Sequence, residues 1–510
     1  MITFIIGTLI LIFGGFFYGI FVEKIFRPDA NRKTPAVAMA DGVDYVAMPK
    51  WKNLLIELLN IAGTGPVLGP IQGVLFGPLA FISIPVVCII AGATHDYFIG
   101  MISMRNKGAQ MPGMVQKYLG KTTHAIYLVI MMFLMILVGV VFTYTPGDLI
   151  VHDLLNMDNS GTSVAIWIAY AIIFIYYIVA AIFPIDKIIG RIYPFFGAIL
   201  IIAAVGIFIM LFVTGGAGLT ELSLATLPKH PKGLQFIPVF FITVACGILS
   251  GFHGSQATLV SRTVSNEKEG RATFYYMMVA EGFIAMCWAA GAMALTNKCG
   301  GVLDGVMNVA AAGTDDYFYN ATNMVGAVSR HFLGSVGGIL AILSVIILPI
   351  TSGDTAFRSI RLMLAERFNM SQKEVSNRIR LTLAIFIPAV AILIFSKVNK
   401  GGFGVLWRYF GFMNQLVAVF ALAMATVYLG THKKNYLITL IPFIFYSFIV
   451  SSYILNAKIG FGLEAHFLGK PNSYVISYPI AAIVTVIATV CLVFYIKKNA
   501  SRLLTMEEAA

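Results

Sequence analysis

Ionisable side chains interrupt several long apolar stretches of this 510-residue sequence. His95 and Asp96 lie toward one end of such a stretch, and His253 lies inside another. A charged group in the apolar core of a membrane is costly, so it is usually paired or serves transport. Asp96, with His95, is therefore a candidate to carry a coupling ion. An equally supported alternative makes Asp96 a helix cap or the ion-pair partner of Arg105.

Four further polar residues lie in or beside apolar stretches. Glu281 lies about two turns into its stretch, where a buried, paired structural role is favoured over a proton relay. Glu57 begins another stretch and is predicted to lie among the lipid headgroups. Asn414 and Gln415 are uncharged amides at membrane depth, and they are predicted to support the site by hydrogen bonds between helices.

A hydroxyl-rich segment follows Pro349 and surrounds a single carboxylate. Hydroxyl and carboxylate oxygens are hard ligands that suit a sodium ion, and the carboxylate also suits a proton. The segment predicts a second ion-coupling group formed by Thr351, Ser352, Asp354 and Thr355. An equally favoured alternative makes Ser352 or Asp354 the N-cap of the basic helix that follows.

Two apolar stretches carry helix-breaking residues at membrane depth. In the first, Pro66 and Pro70 remove backbone donors, and the glycines between residues 61 and 70 disfavour a helix. In the second, residues 247–256 combine glycines with small polar side chains. Lipid does not tolerate unwound backbone, so both segments must face protein or a water-filled cavity. The alternative is that the glycines only permit close helix packing.

The two breaks together predict a binding site for a small carboxylate-bearing solute. Free N–H groups and the positive end of a helix dipole favour a carboxylate, whereas free carbonyls favour a cation. The carboxylate is expected on the backbone of residues 63–65 and 251–254, with hydrogen bonds from Thr64, His253 and Ser255. The complete predicted site comprises Gly63, Thr64, Gly65, Pro66, Gly251, Phe252, His253, Gly254, Ser255 and Gln256.

The composition indicates which elements position these residues. The chain is 59% hydrophobic and 11% charged, whereas soluble domains carry about 25% charged residues. Long uncharged runs favour membrane helices over a barrel. Thirteen spans are predicted, near residues 2–22, 53–70, 76–102, 123–145, 162–183, 192–213, 236–260, 273–296, 327–350, 381–396, 402–429, 436–456 and 476–496. The first is predicted to be a retained helix, with Gly15 and Gly19 spaced for close packing.

The basic residues predict the orientation of these spans. With the N-terminus outside, 26 of the 35 lysines and arginines fall in inner loops, as the positive-inside rule requires. This places the C-terminus in the cytoplasm and the chain in a bacterial cytoplasmic (inner) membrane. The net charge of +12 therefore marks the face beside the lipid bilayer, and no nucleic-acid partner is predicted. The five cysteines show no metal or disulfide spacing and are predicted to be reduced core thiols. No metal and no cofactor are expected besides a proton or sodium as coupling ion.

The first broken helix is predicted to run outward and the second, five spans later, to run inward. This relation is typical of a five-plus-five inverted repeat with its site between two discontinuous helices. The predicted fold is an all-α polytopic membrane protein of about 13 transmembrane helices. Its predicted parts are an extra helix and cytoplasmic loop (1–52), two repeats (53–214 and 215–429), and two C-terminal helices with a tail (430–510).

The predicted function is cation-coupled import of a small carboxylate-bearing nutrient by alternating access. Alternatives are sodium-coupled transport of another solute such as an amino acid, a channel, or an intramembrane enzyme. HExxH, GxSxG and CxxC motifs are absent, which disfavours the enzyme, and channels favour symmetric filters built from several chains. The sequence does not predict the oligomeric state.

Ordered motifs along nearly the whole chain resemble the carbon starvation protein A (CstA) family. They are Thr34-Pro35-Ala36-Val37, Asp41-Gly42-Val43-Asp44-Tyr45-Val46, Ile61-Ala62-Gly63, Gly65-Pro66, Gly69-Pro70, Asp96, Ser103-x-Arg105, Phe241 to Gly247, Ser250-Gly251-Phe252-His253, Asp354 with Arg358 and Arg361, and Gly411-x-x-Asn414-Gln415.

The resemblance implies proton-driven uptake of peptides or pyruvate during nutrient limitation, on the LeuT-like fold of the amino-acid–polyamine–cation superfamily. Two positions depart from the family pattern. Ile56-Glu57 stands where the family has a histidine pair, and His95 stands where it has glutamine. Both departures lie beside the predicted site, and they bear on the substrate and on the coupling ion.

Overall fold

A computed structural model of the chain describes residues 1–42, 44–182, 186–368, 370 and 374–508. Val43 of the family-like motifs lies outside this part of the chain, as do portions of the predicted inner loops 184–191 and 353–380.

The described residues are mostly helical, with longer connections at residues 214–235 and 299–320. The helices are α1 (Ile2–Phe26), α2 (Pro35–Ala38), α3 (Lys50–Ile61), α4 (Gly65–Phe76), α5 (Ala80–Arg105), α6 (Met111–Leu119), α7 (Lys121–Leu154), α8 (Val164–Ile182), α9 (Asp186–Val213), α10 (Phe236–Thr243), α11 (Ala245–Ile248), α12 (Gly251–Val260), α13 (Glu267–Lys298), α14 (Ala321–Arg367), α15 (Val375–Val398), α16 (Gly402–Thr431), α17 (Leu437–Asn456), α18 (Leu463–Leu468) and α19 (Ser477–Glu508). A 3₁₀ turn covers Leu224–Thr226. Three short strands, β1 (Val302–Leu303), β2 (Met307–Asn308) and β3 (Phe318–Tyr319), form an antiparallel sheet in that order.

The membrane class predicted from composition is confirmed. Within the described residues, ten helices are long and apolar enough to cross a membrane, and the number is eleven when the bent pair α3 and α4 counts as one span. The predicted span 162–183 corresponds to α8, whose apolar part is shorter. The predicted span 236–260 is divided into α10, α11 and α12. The count of thirteen therefore stays a prediction.

The first helix packs closely against α13, as its glycine spacing predicts. A Cβ on Gly15 would lie 3.1 Å from Val279 Cγ1, and one on Gly19 would lie 2.9 Å from Tyr275 Cδ1. Small residues let two membrane helices approach, which gains dispersion contacts where water supplies no hydrophobic drive.

The cysteine prediction is only partly correct. Cys88, Cys246 and Cys287 are buried, whereas Cys299 is partly exposed and Cys491 is exposed. Cys491 lies on α19, one face of which carries exposed apolar residues such as Val486 and Val490. A cysteine in an apolar stretch can therefore be exposed when its helix has an exposed apolar face.

Outside the spans, Glu464 of α18 anchors the start of α19. Its carboxylate accepts hydrogen bonds from Ser477 N at 2.7 Å, Ser477 Oγ at 2.6 Å and Asn456 Nδ2 at 2.9 Å. Burial opposes ionisation of this carboxyl, but the hydrogen bonds from Ser477 and Asn456 outweigh burial and hold its pKa below the usual value.

The Glu464→Gln variant is expected to have a lower thermal midpoint than wild type at pH 7, by about 2 kcal/mol of stability, because hydrogen bonds to a charged acceptor are lost. A depressed folded pKa stabilises the protein above the unfolded pKa of about 4.3, and this contribution is lost as the pH falls through the folded pKa. The difference should therefore narrow toward pH 4 in melts of the purified protein. Asp315→Asn, at an exposed carboxylate, is the control; an equal difference at both pH values would contradict the assignment.

Candidate functional site

Both predicted helix breaks are present. α3 ends at Ile61, α4 begins at Gly65, and the two are bent by 50°. Between α11 and α12, Leu249 and Ser250 have extended backbone, with φ −166° and −137°. Pro66 occupies the first turn of α4, where its missing N–H costs no hydrogen bond. The helix-breaking residues therefore give two discontinuous helices inside the bundle.

The two broken helices touch each other through their glycines. A Cβ on Gly65 would lie 2.2 Å from Cys246 Cβ, and one on Gly247 would lie 3.3 Å from Pro70 Cγ. Real Cβ contacts of 2.2 Å do not occur, so position 65 has no room for a side chain. The glycines therefore allow the two helices to pack closely, and they also lie at the helix breaks, so both interpretations are correct.

Asn414 of α16 holds the second break. Its Oδ1 accepts hydrogen bonds from Ser250 Oγ at 2.8 Å and from the Phe252 backbone N–H at 3.3 Å. The neighbouring amide of Gln415 donates from Nε2 to the Phe241 carbonyl oxygen at 2.5 Å. Both amides bridge α16 to the broken helix, and they satisfy backbone groups that the break exposes.

Hydrogen bonds at the breaks already occupy backbone donors that were expected to bind the substrate carboxylate. The N–H of Phe252 is taken by Asn414, that of His253 donates to Ser250 O at 3.2 Å, and that of Gly63 donates to Ile61 O at 2.9 Å. Three of the backbone donors assigned to the carboxylate are therefore occupied in this structure. By contrast, the Thr64 hydroxyl is fully buried and has no hydrogen-bond partner.

Asp96 of α5 contacts two histidines, His95 of the same helix and His253 of α12. Its Oδ1 lies 2.7 Å from His95 Nδ1, and its Oδ2 lies 3.2 Å from His253 Nδ1. The opposite ring nitrogen of His253, Nε2, lies 3.7 Å from Glu281 Oε2 of α13. All four side chains are at most 1% exposed. His253, predicted to bind substrate, is therefore the bridge between two carboxylates.

The alternative ion pair of Asp96 with Arg105 is wrong. Arg105 instead donates to both oxygens of Glu267, at 3.1 and 3.0 Å. Arg105 lies at the last turn of α5, about two and a half helical turns beyond Asp96, so the two side chains lie at different depths.

The prediction that Glu57 lies among headgroups is also wrong. Glu57 is fully buried, and neither of its carboxylate oxygens has a hydrogen-bond partner. It lies close enough to Asp96 and Glu281 for electrostatic interaction. The cause is that α3 begins at Lys50, so Glu57 stands about two turns inside the helix, just before the break.

Glu57, Asp96, His253 and Glu281, with His95, form a group that we call the carboxylate–histidine cluster. Three negative charges in a region of low dielectric repel one another and lose their hydration, so the cluster is more stable with protons shared among its members. Both carboxylate oxygens of Glu57 and the Nε2 of His95 have no hydrogen-bond partner, so these atoms can form further hydrogen bonds. Over the described residues, no group of three or more His, Cys, Asp or Glu side chains is placed to hold a metal ion.

The remaining predicted substrate residues differ in their neighbours and in their exposure, and Gly254 lies beside the cluster. A Cβ on Gly254 would lie 3.5 Å from His95 Cε1, and one on Gly63 would lie 3.3 Å from Phe142 Cζ. The ring of Phe142 also meets that of Phe252 edge-on, at 6.3 Å between centroids. The other members differ in burial, Gln256 being buried, Ser255 partly buried and Gly251 buried.

The hydroxyl-rich segment lies within a helix. α14 runs through residues 351–355, so the N-cap alternative for Ser352 and Asp354 is wrong. The Thr351 and Thr355 hydroxyls donate to carbonyls of their own helix, those of Leu348 and Thr351, at 2.7 and 3.4 Å. Asp354 Oδ2 lies 3.4 Å from Arg358 Nη2. The buried Ser352 hydroxyl has no hydrogen-bond partner.

The sequence singled out every cluster member except Glu57 as a polar residue at membrane depth, but it did not predict that they group together. The signal that could have located Glu57 is its position four residues before Ile61, the last residue of a helix that ends at a glycine–proline break. A carboxylate about one and a half turns from unwound membrane backbone lies close to the depth of the break.

Replacing Gly65 by alanine is expected to destabilise the protein by about 1–3 kcal/mol, because the new Cβ overlaps Cys246. Gly113→Ala is the matched control, since its helical glycine has open space around it. A Cys246→Gly change should restore part of the thermal midpoint of Gly65→Ala. Equal midpoints for Gly65→Ala and the control would show that the helices do not meet at this point.

The chain is similar to bacterial membrane proteins, among them a peptide transporter and a pyruvate/proton symporter. It is 41% identical over 333 residues to an uncharacterised membrane protein of Haemophilus influenzae, covering 56% of this chain and 89% of that protein. It is 26% identical over 540 residues to the peptide transporter CstA of Escherichia coli, covering 82% of this chain and 75% of that relative. It is 24% identical over 330 residues to the pyruvate/proton symporter BtsT of the same organism, covering 53% and 46%.

A solved structure, the manganese transporter of Eremococcus coleocola, superposes with a TM-score of 0.54 at 14% identity. The alignment covers 91% of this chain and 99% of that one, and at this identity it shows the fold alone. The relatives with named activities and this structural neighbour are transporters and not enzymes. The family model for carbon starvation protein CstA matches residues 1–181, 147–333 and 302–452. Together these matches extend over most of the sequence, and the chain belongs to the carbon starvation protein CstA family.

Proposed function

We propose that this protein is a secondary active transporter that imports a small carboxylate-bearing nutrient, a peptide or pyruvate, together with protons. The observation that supports this proposal is the carboxylate–histidine cluster, which joins α5, α12 and α13 and has Glu57 of α3 within electrostatic reach. The names of the peptide and pyruvate/proton transporting relatives support the substrate class and the ion. The CstA family name supports a role in carbon starvation.

Coupling follows from the charge of the cluster. An anionic substrate near Thr64 would be repelled by ionised Glu57, Asp96 and Glu281, because Coulomb energies are large in a region of low dielectric. Protonation of the cluster removes that repulsion. Proton binding and substrate binding therefore favour each other, and by linkage each ligand raises the affinity for the other.

The unpartnered Thr64 hydroxyl and the backbone at the breaks would supply the directional contacts. For a carboxylate to reach the N–H of Phe252, Asn414 must release it. Rocking of α3–α5 and α11–α13 against the other helices would then alternate access, with residues 53–214 and 215–429 as the inverted repeats. In this arrangement the N-terminus lies outside a bacterial cytoplasmic membrane and the C-terminus inside.

A proton suits the cluster better than sodium. Its members are titratable, whereas the Thr351 and Thr355 hydroxyls proposed as sodium ligands donate to carbonyls of their own helix. The Thr351, Ser352, Asp354 and Thr355 segment remains the place to look if uptake depends on sodium.

Proteoliposomes should accumulate labelled pyruvate or a labelled dipeptide when a pH gradient, acid outside, is imposed. A sodium gradient and no gradient are the parallel conditions. Accumulation driven by sodium alone would replace the proton with sodium, and accumulation of neither solute would remove the peptide-or-pyruvate assignment.

Glu281→Gln and Glu57→Gln are expected to lose gradient-driven accumulation by tenfold or more while retaining substrate exchange at equal concentrations. The reason is that a neutral amide imitates the protonated carboxyl, so substrate still binds but no proton is carried. Exchange and accumulation would be measured on the same proteoliposomes. Asp158→Asn, at an exposed carboxylate of the α7–α8 connection, should leave both unchanged. Wild-type accumulation by both glutamine variants would take these carboxylates out of coupling.

A further inference from the structure

An apolar groove lies on the flank of the bundle formed by α7, α16, α17 and α19, away from the carboxylate–histidine cluster. Its volume is about 550 Å³, and its lining includes Phe420, Phe443, Val450, Ala488 and Cys491. These residues belong to helices that are long and apolar enough to cross a membrane. The groove is therefore at the depth of lipid chains.

A basic pocket of about 440 Å³ adjoins the groove where α6 turns into α7. Its lining includes Lys117, Lys121, Asn499 and Arg502, and the charged side chains that line it are all basic. Tyr495 of α19 lines both the pocket and the groove. The basic pocket and the apolar groove therefore meet at Tyr495.

From this geometry we propose that the groove and pocket together bind one anionic phospholipid. Its phosphate contacts Lys121 and Arg502, and Lys117, which donates to Asn106 Oδ1 at 2.6 Å, adds positive charge to the pocket. One acyl chain fills the groove along Phe420 and Ala488, and the ester oxygens lie near Tyr495, where the two spaces meet. Charge complementarity selects an anionic headgroup, and the apolar groove selects a lipid over a free anion.

The site touches the element that holds the second helix break. Leu416, Val419 and Phe420 line the groove, and Asn414 and Gln415 precede them on the same helix, α16. A bound lipid chain is therefore in contact with the helix whose amides cap α12.

The test is lipid binding to the purified, delipidated full chain, followed by native mass spectrometry. Phosphatidylglycerol, phosphatidylcholine and inorganic phosphate are the probes. Phosphatidylglycerol should bind at least tenfold more tightly than phosphatidylcholine. The double variant Lys121→Ala/Arg502→Ala should weaken phosphatidylglycerol binding by about 25-fold, at about fivefold per charge. Both side chains are exposed, so the variant is expected to fold.

Lys497→Ala/Lys498→Ala is the matched control, because these exposed lysines are on the same helix outside the pocket. Ala488→Trp, which fills the groove, should weaken phosphatidylglycerol binding and leave inorganic phosphate binding unchanged. Equal binding of the two phospholipids, or equal effects of the two double variants, would overturn the proposal. Unchanged phosphatidylglycerol binding by Ala488→Trp would reduce the site to an anion pocket and would also overturn it.

Discussion

The contact between Asp96 and His253 is the interaction on which the interior of this protein depends. It joins α5 to α12, the helix that begins at the second break, and it places a carboxylate and an imidazole 3.2 Å apart in a fully buried region. An isolated carboxylate there would be destabilising by several kcal/mol. Two histidines contact Asp96, and Glu281 lies beyond His253, so the charge of Asp96 is not isolated.

The broken helices make this arrangement possible. A continuous helix satisfies its own backbone and offers a membrane interior only side chains, whereas a break brings polar backbone and short side chains to the same depth. The backbone N–H and C=O groups that the break exposes then need hydrogen-bond partners or protection from lipid. Asn414 does so at α12, and the close approach of Gly65 to Cys246 keeps the opposite break out of lipid. The residues that stabilise the helix breaks therefore also shape the candidate site.

The sequence predicted the membrane class, both helix breaks and the presence of His253, Asp96 and Glu281 at depth. Proline and glycine act locally, so the positions of the breaks could be read from residues 61–70 and 247–256 alone. The partners could not, because they come from helices far apart in the chain. Asp96 was assigned to Arg105 as an alternative on grounds of sequence proximity, while its partner on another helix, His253, is 157 residues away. Glu57 was misplaced because the start of α3 was predicted three residues late. Ser352 and Asp354 were assigned as possible N-caps because a basic segment follows them, but α14 runs through residues 351–355.

The contact between Gly65 and Cys246 also limits how the two broken helices can move. With no side chain at position 65, the backbone of α4 rests directly on α11, and neither helix can slide past the other without steric overlap. Tilting about the contact needs no such overlap. The contact is therefore a point about which α4 and α11 can tilt. In the alternating-access mechanism proposed above, a pivot of this kind would let an opening on one side accompany a closing on the other, and it would depend on the missing side chain of Gly65.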